Sequence, residues 1–154
     1  MPILVWVFAL FMLVAAHEGF KNDNNVFEKQ KSFDEAKSSS LSGQMIAYAS
    51  YVRVYLEAHP ATTGTVTDGA MNIPSWFQNR DPRIGAYFSS GRAYVYCTTT
   101  CPRNLEAELS EITDKSINVG VVSNGKLSRF GVVDSSYTLP TSLKNEDIVY
   151  VLNY

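Results

Sequence analysis

The chain has 154 residues, 45% of them hydrophobic, with nine Tyr and eight Phe, and a net charge of −2. That apolar and aromatic content excludes a disordered chain, and the interspersed charges exclude the basic stripe that nucleic-acid binding requires. No repeat at solenoid spacing is present.

The first element is an unbroken apolar run from Ile3 to Ala16, with no ionised side chain before Glu18. A run of this kind at the start of a chain is read by the export machinery. The rest is therefore expected across a membrane, in the periplasm of a Gram-negative source. As a helix, Ile3 to Ala16 rises about 21 Å, against a hydrocarbon core of roughly 30 Å. Met1, Pro2 and His17 extend it to about 25 Å, which local thinning of the bilayer tolerates. A secretory signal fits the length better, and Val14-Ala15-Ala16 offers small residues for cleavage before His17. The lack of Lys or Arg ahead of Ile3 weighs against cleavage. Residues 1–17 thus read as a membrane anchor or a signal segment. A prepilin start is disfavoured, because Gly19-Phe20 follows the apolar run instead of preceding it.

Residues 18–40 form a polar spacer. Asn22, Asp23, Asn24 and Asn25 break the leader, and Val26 to Lys37 reads as a charged helix with few apolar contacts, a solvated spacer in preference to a binding segment. The roughly 138 residues after the leader suffice for one domain with its own core. That domain, 41–154, opens on the strongest helix signal in the chain. Leu41, Met45, Tyr48, Ala49, Val52 and Leu56 recur at spacings that place them on one face. Ser42 or a neighbouring serine is the expected cap, and His59-Pro60 the stop. Tyr51 and Tyr55 form a second stripe with a packing role.

Beyond the ATTGT segment, short apolar runs alternate with Gly, Pro, Asn and Asp. Arg92 to Thr98 reads as a strand. Pro102 opens a helix with Leu105, Leu109 and Ile112 on one face. Ile117 to Val122 and Lys126 to Val133 form a hairpin about Ser123-Asn124-Gly125, since Asn-Gly accepts the positive φ of a tight turn. Asp147 to Tyr154 is the last strand. The sum is an α+β fold: an N-terminal apolar helix, a long amphipathic helix, then a mostly antiparallel sheet with one further helix. A pilin-like layout is compatible with it.

Cys97 and Cys101 are the only cysteines. In an exported domain a disulfide is the natural reading, closing a short threonine-rich loop and contributing roughly 2 kcal/mol. A redox site usually has two intervening residues, and a zinc site wants about four ligands. The only histidines, His17 and His59, are distant in sequence, and no nucleophile motif accompanies them. Glu106, Glu108 and Glu111 read as a solvated face near a helix N-terminus. Gly85, Gly91, Gly120, Gly125 and Gly131 are scattered and form no phosphate loop. No catalytic residue, cofactor, metal or small-molecule ligand is therefore expected. Trp76-Phe77 and Tyr87-Phe88 are the candidate interface aromatics.

The leader, the length, the helix MIAYASYVRVYLEAHP and the β-rich half resemble the PilM proteins of conjugative-plasmid thin pili, of the type IVB systems. These are distinct from the actin-like cytoplasmic proteins that share the name. The resemblance spans nearly the whole chain. It implies a non-enzymatic, single-pass inner-membrane component of pilus assembly or its basal body, acting in pilin transport, with other pilus-assembly proteins as partners. It favours a retained anchor at Met1 to Ala16. The rivals are a minor pilin-like subunit and a cleaved, soluble periplasmic binding protein or enzyme.

Overall fold

The computed structural model describes residues 40–98 and 100–153. The expected leader and nearly all of the spacer lie outside these residues.

Helix α1 runs over residues 40–58. All six residues of the predicted face are buried, from Leu41 to Leu56. Tyr51 and Tyr55 lie at its margin, against Phe77 and against Phe88 and His59. The helix stops where expected: the His59 amide still reaches the Tyr55 carbonyl at 2.9 Å, and Pro60 cannot continue the ladder. Ser42 is not the cap. It lies inside the helix, is buried, and donates to Glu108 Oε2 at 3.2 Å.

The β-rich half is one six-stranded sheet in the order β1-β2-β6-β3-β4-β5, antiparallel throughout. The strands are β1 Ile84–Ser89, β2 Arg92–Cys97, β3 Val119–Ser123, β4 Lys126–Arg129, β5 Val132–Thr138 and β6 Ile148–Asn153. The last strand in sequence is central in space, between β2 and β3. Covered on both faces, it buries Ile148, Val149, Val151 and Leu152, which explains its near-continuous apolar sequence.

Three hairpins close on two-residue turns in which both residues have positive φ. They are Ser90-Gly91 (53°, 73°), Asn124-Gly125 (50°, 72°) and Phe130-Gly131 (47°, 83°). Only the second is evident in the sequence. The third cuts the predicted strand Lys126 to Val133 in two, so β4 ends at Arg129 and β5 returns beside it.

One face of the sheet packs beneath α1 and α2. There Ile84, Ala86 and Phe88 of β1 join Ala93 and Val95 of β2, Leu105, Leu109 and the α1 stripe. Helix α2 is Leu105–Ile112, set by a turn in which the Leu105 amide bonds the Pro102 carbonyl at 3.1 Å. Leu105 and Leu109 are buried, but Ile112 is 55% exposed. The expected three-residue stripe is thus cut to two, because Ile112 comes at the helix end, on the rim of a groove beside α1. The other face carries a smaller core of Tyr94, Val122, Leu127, Val149 and Val151, capped by Leu139 and Leu143.

Candidate functional site

The four candidate interface aromatics do not form one surface. Phe88 points into the main core and is fully buried, and Phe77 is nearly so, packed on Tyr51. Tyr87, one residue along β1, necessarily faces the opposite side and packs on the smaller core. Trp76 alone stands in solvent, 74% exposed, edge-on to Phe77. The alternation of a strand separates Tyr87 from Phe88. Of the four, burial removes Phe77 and Phe88 from any surface, and only Trp76 and part of Tyr87 are accessible.

Cys97 and Cys101 are bonded, with their Cα atoms 6.2 Å apart. The closed turn is tied to the start of β1 through Arg83. Its guanidinium donates to the Thr100 carbonyl at 3.0 Å, and its carbonyl accepts from Thr98 at 3.2 Å. Asp81 holds the same guanidinium by two bonds, at 2.8 and 2.6 Å. The hydrogen bond to Asp81 raises the Arg83 pKa, so this cation is permanent. Replacing both cysteines by serine is expected to cost about 2 kcal/mol, read from urea unfolding by circular dichroism. Loss of less than about 0.5 kcal/mol would show that Arg83 and Asp81 hold the turn alone.

A second polar cluster sits between α1 and the segment before β1. Arg80 grips Asp68 through two bonds, 2.5 and 3.1 Å long, and lays its guanidinium 3.9 Å from the Tyr48 ring centroid. Burial pushes the Tyr48 phenol up to about 12, with the Arg80 cation opposing that shift and Asp68 adding to it. Tyr48 is thus held as a neutral phenol. Since the folded value lies above the ordinary 10, its contribution to stability is complete below pH 10 and is lost as pH rises towards 12. The fall in stability over that interval should be shallower in Tyr48→Phe. Equal slopes would show that other groups govern the alkaline limb.

The predicted polar residues have structural partners. His59 is exposed at the end of α1, where Nδ1 lies 3.2 Å from the Tyr55 carbonyl and the ring stacks on Tyr55. No hydrogen bond joins it to a serine or carboxylate among the described residues; His17 lies outside them. Glu106 accepts from the Phe130 amide at 2.9 Å, and Glu108 holds Ser42 and Asn104. Only Glu111 of the trio is exposed; Glu106 and Glu108 are half-buried. Among the described residues no cluster of His, Cys, Asp or Glu could hold a metal ion.

The chemistry this surface does offer is apolar. Two open clefts, each of about 490 Å³, flank α2. The first lies between α1 and the end of α2, with Val54 and Ile112 exposed on its rim. The second lies between α2 and the β4–β5 hairpin. Ile117, Phe130 and Val132 line it and are 68%, 66% and 72% exposed. Ile117, Phe130 and Val132 thus form a cluster of large apolar groups left in water. The sequence held one signal for it: Phe130-Gly131 is an X-Gly pair like Asn124-Gly125, but its aromatic residue disguises the turn.

A family model described as PilM matches residues 9–151. The structure is similar to that of a PilM protein from Escherichia coli B7A, with a TM-score of 0.59 and 23% identity over 77% of this chain and 93% of that one. A pilM protein from Pseudomonas aeruginosa 2192 matches with a TM-score of 0.44 and 26% identity over 73% and 91% of the two chains. No curated protein matches. The Escherichia coli likeness bears on the fold.

Proposed function

The chain belongs to the PilM family, and from that premise we propose that it is a non-enzymatic, single-pass inner-membrane component of type IV thin-pilus assembly. It acts in pilin transport or in the pilus basal body, in the service of conjugation. Family membership supports the role in pilus biogenesis, and it carries this reading. In the proposed arrangement Met1 to Ala16 holds the protein in the bilayer, residues 18–40 set the distance, and the α+β domain meets other assembly proteins in the periplasm. The exposed apolar groups beside α2 suit such contacts.

The test begins with a C-terminally tagged chain expressed with its own leader. A full-length mass in the carbonate-resistant membrane pellet is expected, together with loss of thin pili and plasmid transfer when the gene is deleted. A mass starting at His17 in the soluble periplasmic fraction would remove the anchor. Normal piliation in the deletion strain would remove the assembly role.

A further inference from the structure

Strand β5 is an open edge of the sheet among the described residues. The opposite edge is partly covered, since Gly64 exchanges two backbone bonds of 2.8 Å with Phe88 of β1. No described strand pairs with the outer side of β5. Because Phe130-Gly131 is a two-residue turn, Arg129 and Val132 form the hydrogen-bonded pair that closes the hairpin. The next residue, Val133, therefore turns its N–H and C=O away from β4, towards solvent. Unsatisfied groups in that pattern are met best by another strand.

The cleft lined by Ile117, Phe130 and Val132 adjoins that edge. Phe130 occupies a left-handed conformation with φ of 47°, where Asn or Gly would sit with less strain. Burial does not offset this strain, because the ring is mostly in water. Lys115, on the same cleft, is also left-handed, with φ of 57°. Backbone strain held at an exposed apolar surface points to a role outside the fold.

We propose that the β5 edge and this cleft bind an extended segment of a partner protein by strand addition. The segment pairs its backbone with Val133 and places alternate apolar side chains between α2 and the β4–β5 hairpin. A second copy fits less well. The β4–β5 register shifts between Lys126 and Leu127, so the regular edge is only Val132 to Asp134. Two such edges joined to each other would share a ladder of at most three residues. A docked helix would leave the Val133 backbone groups unsatisfied. Charges at the cleft are mixed, with Glu111 and Lys115 beside an Arg129 already paired to Asp134. That mixture favours a segment of low net charge.

The inference rests on the reading that this protein works through contact with other pilus proteins, and it names the surface. The test uses the full chain in cells that make the pilus, with a benzophenone photo-crosslinking residue at position 133 or 117, and at the exposed positions 57 or 61 as controls. Positions 133 and 117 should join one segment of another protein, at alternate residues, as read by mass spectrometry of the linked peptides. Val133→Pro removes the outward N–H without touching a bond of the fold, and should lower the yield from position 117 at least ten-fold. Phe130→Asn should lower it as well, while raising the thermal midpoint, a combination a purely structural Phe130 would not give. Crosslinks to a second copy, equal yields at the control positions, or no effect of Val133→Pro would overturn the inference. The two failures are separable. Normal piliation of the deletion strain ends the assembly role, whereas the crosslinks alone decide the docking surface.

Discussion

Gly120→Ala is expected to destabilise the domain by about 3 kcal/mol, at the upper end of overpacking costs. A Cβ at this position would lie 2.5 Å from the Ser128 carbonyl oxygen, and 3.1 Å from side-chain carbons of Leu127 and Arg129. The nearest atom is backbone, so no rotamer change relieves the clash. Strand β4 would have to move off β3, carrying the β4–β5 hairpin with it. Glycine inside a strand marks such a close approach, and its value here is the missing methyl group and not its conformational freedom. Gly43 supplies the opposite sign in the same molecule. It lies within α1, is exposed, and a methyl group added there would meet nothing within 4 Å. Gly43→Ala should therefore raise stability by roughly 0.5–1 kcal/mol through the helix backbone alone. Urea unfolding of the two variants checks both. A Gly120→Ala cost under about 1 kcal/mol would show that β4 shifts cheaply.

The α1 face and the terminal strand were legible because each follows from one local pattern. The spacing of Leu41 to Leu56 admits a single buried side, and a run such as Ile148-Val149-Tyr150-Val151-Leu152 has to be covered on both. The outer strands carried weaker marks. Strand β1 alternates buried and half-buried residues but includes Gly85, and β5 places Val132 and Val133 in solvent before a polar stretch. Position in the sheet, which no local pattern records, decided their character. The same limit explains the aromatics. Phe88 and Tyr87 look equivalent as a pair, yet the direction of β1 sends one under α1 and the other to the far face. Trp76 and Phe77 part because only Phe77 reaches Tyr51. The apolar surface at Phe130 was hidden by the opposite problem: a bulky residue occupies a turn position where Asn or Gly is the recognisable choice.

Arg80→Ala is expected to cost about 3 kcal/mol, near the lower end for breaking a buried ion pair, because both partners keep some contact with water. The Arg80 and Asp68 side chains are 12% and 25% exposed. Removing the guanidinium strands a largely buried carboxylate and uncovers one face of Tyr48, which lies fully inside the core. It also loosens the turn that follows Trp76. The rest of that turn is held by Gln78 on the Ile73 carbonyl at 2.9 Å, and by the Asp81 amide on Gln44 of α1 at 2.8 Å. Arg80→Lys keeps the charge but not the planar fork, so about half the loss should remain. Asp68→Asn and the double variant complete a cycle whose coupling should reach roughly 1–3 kcal/mol. Additivity within about 0.5 kcal/mol would mean that the pair is held by the turn and does not hold it. A large coupling with unchanged photo-crosslinking at position 133 would separate the two halves of the molecule by role. The segment before β1 would then serve stability, and the β5 edge would be left as the surface that meets a partner.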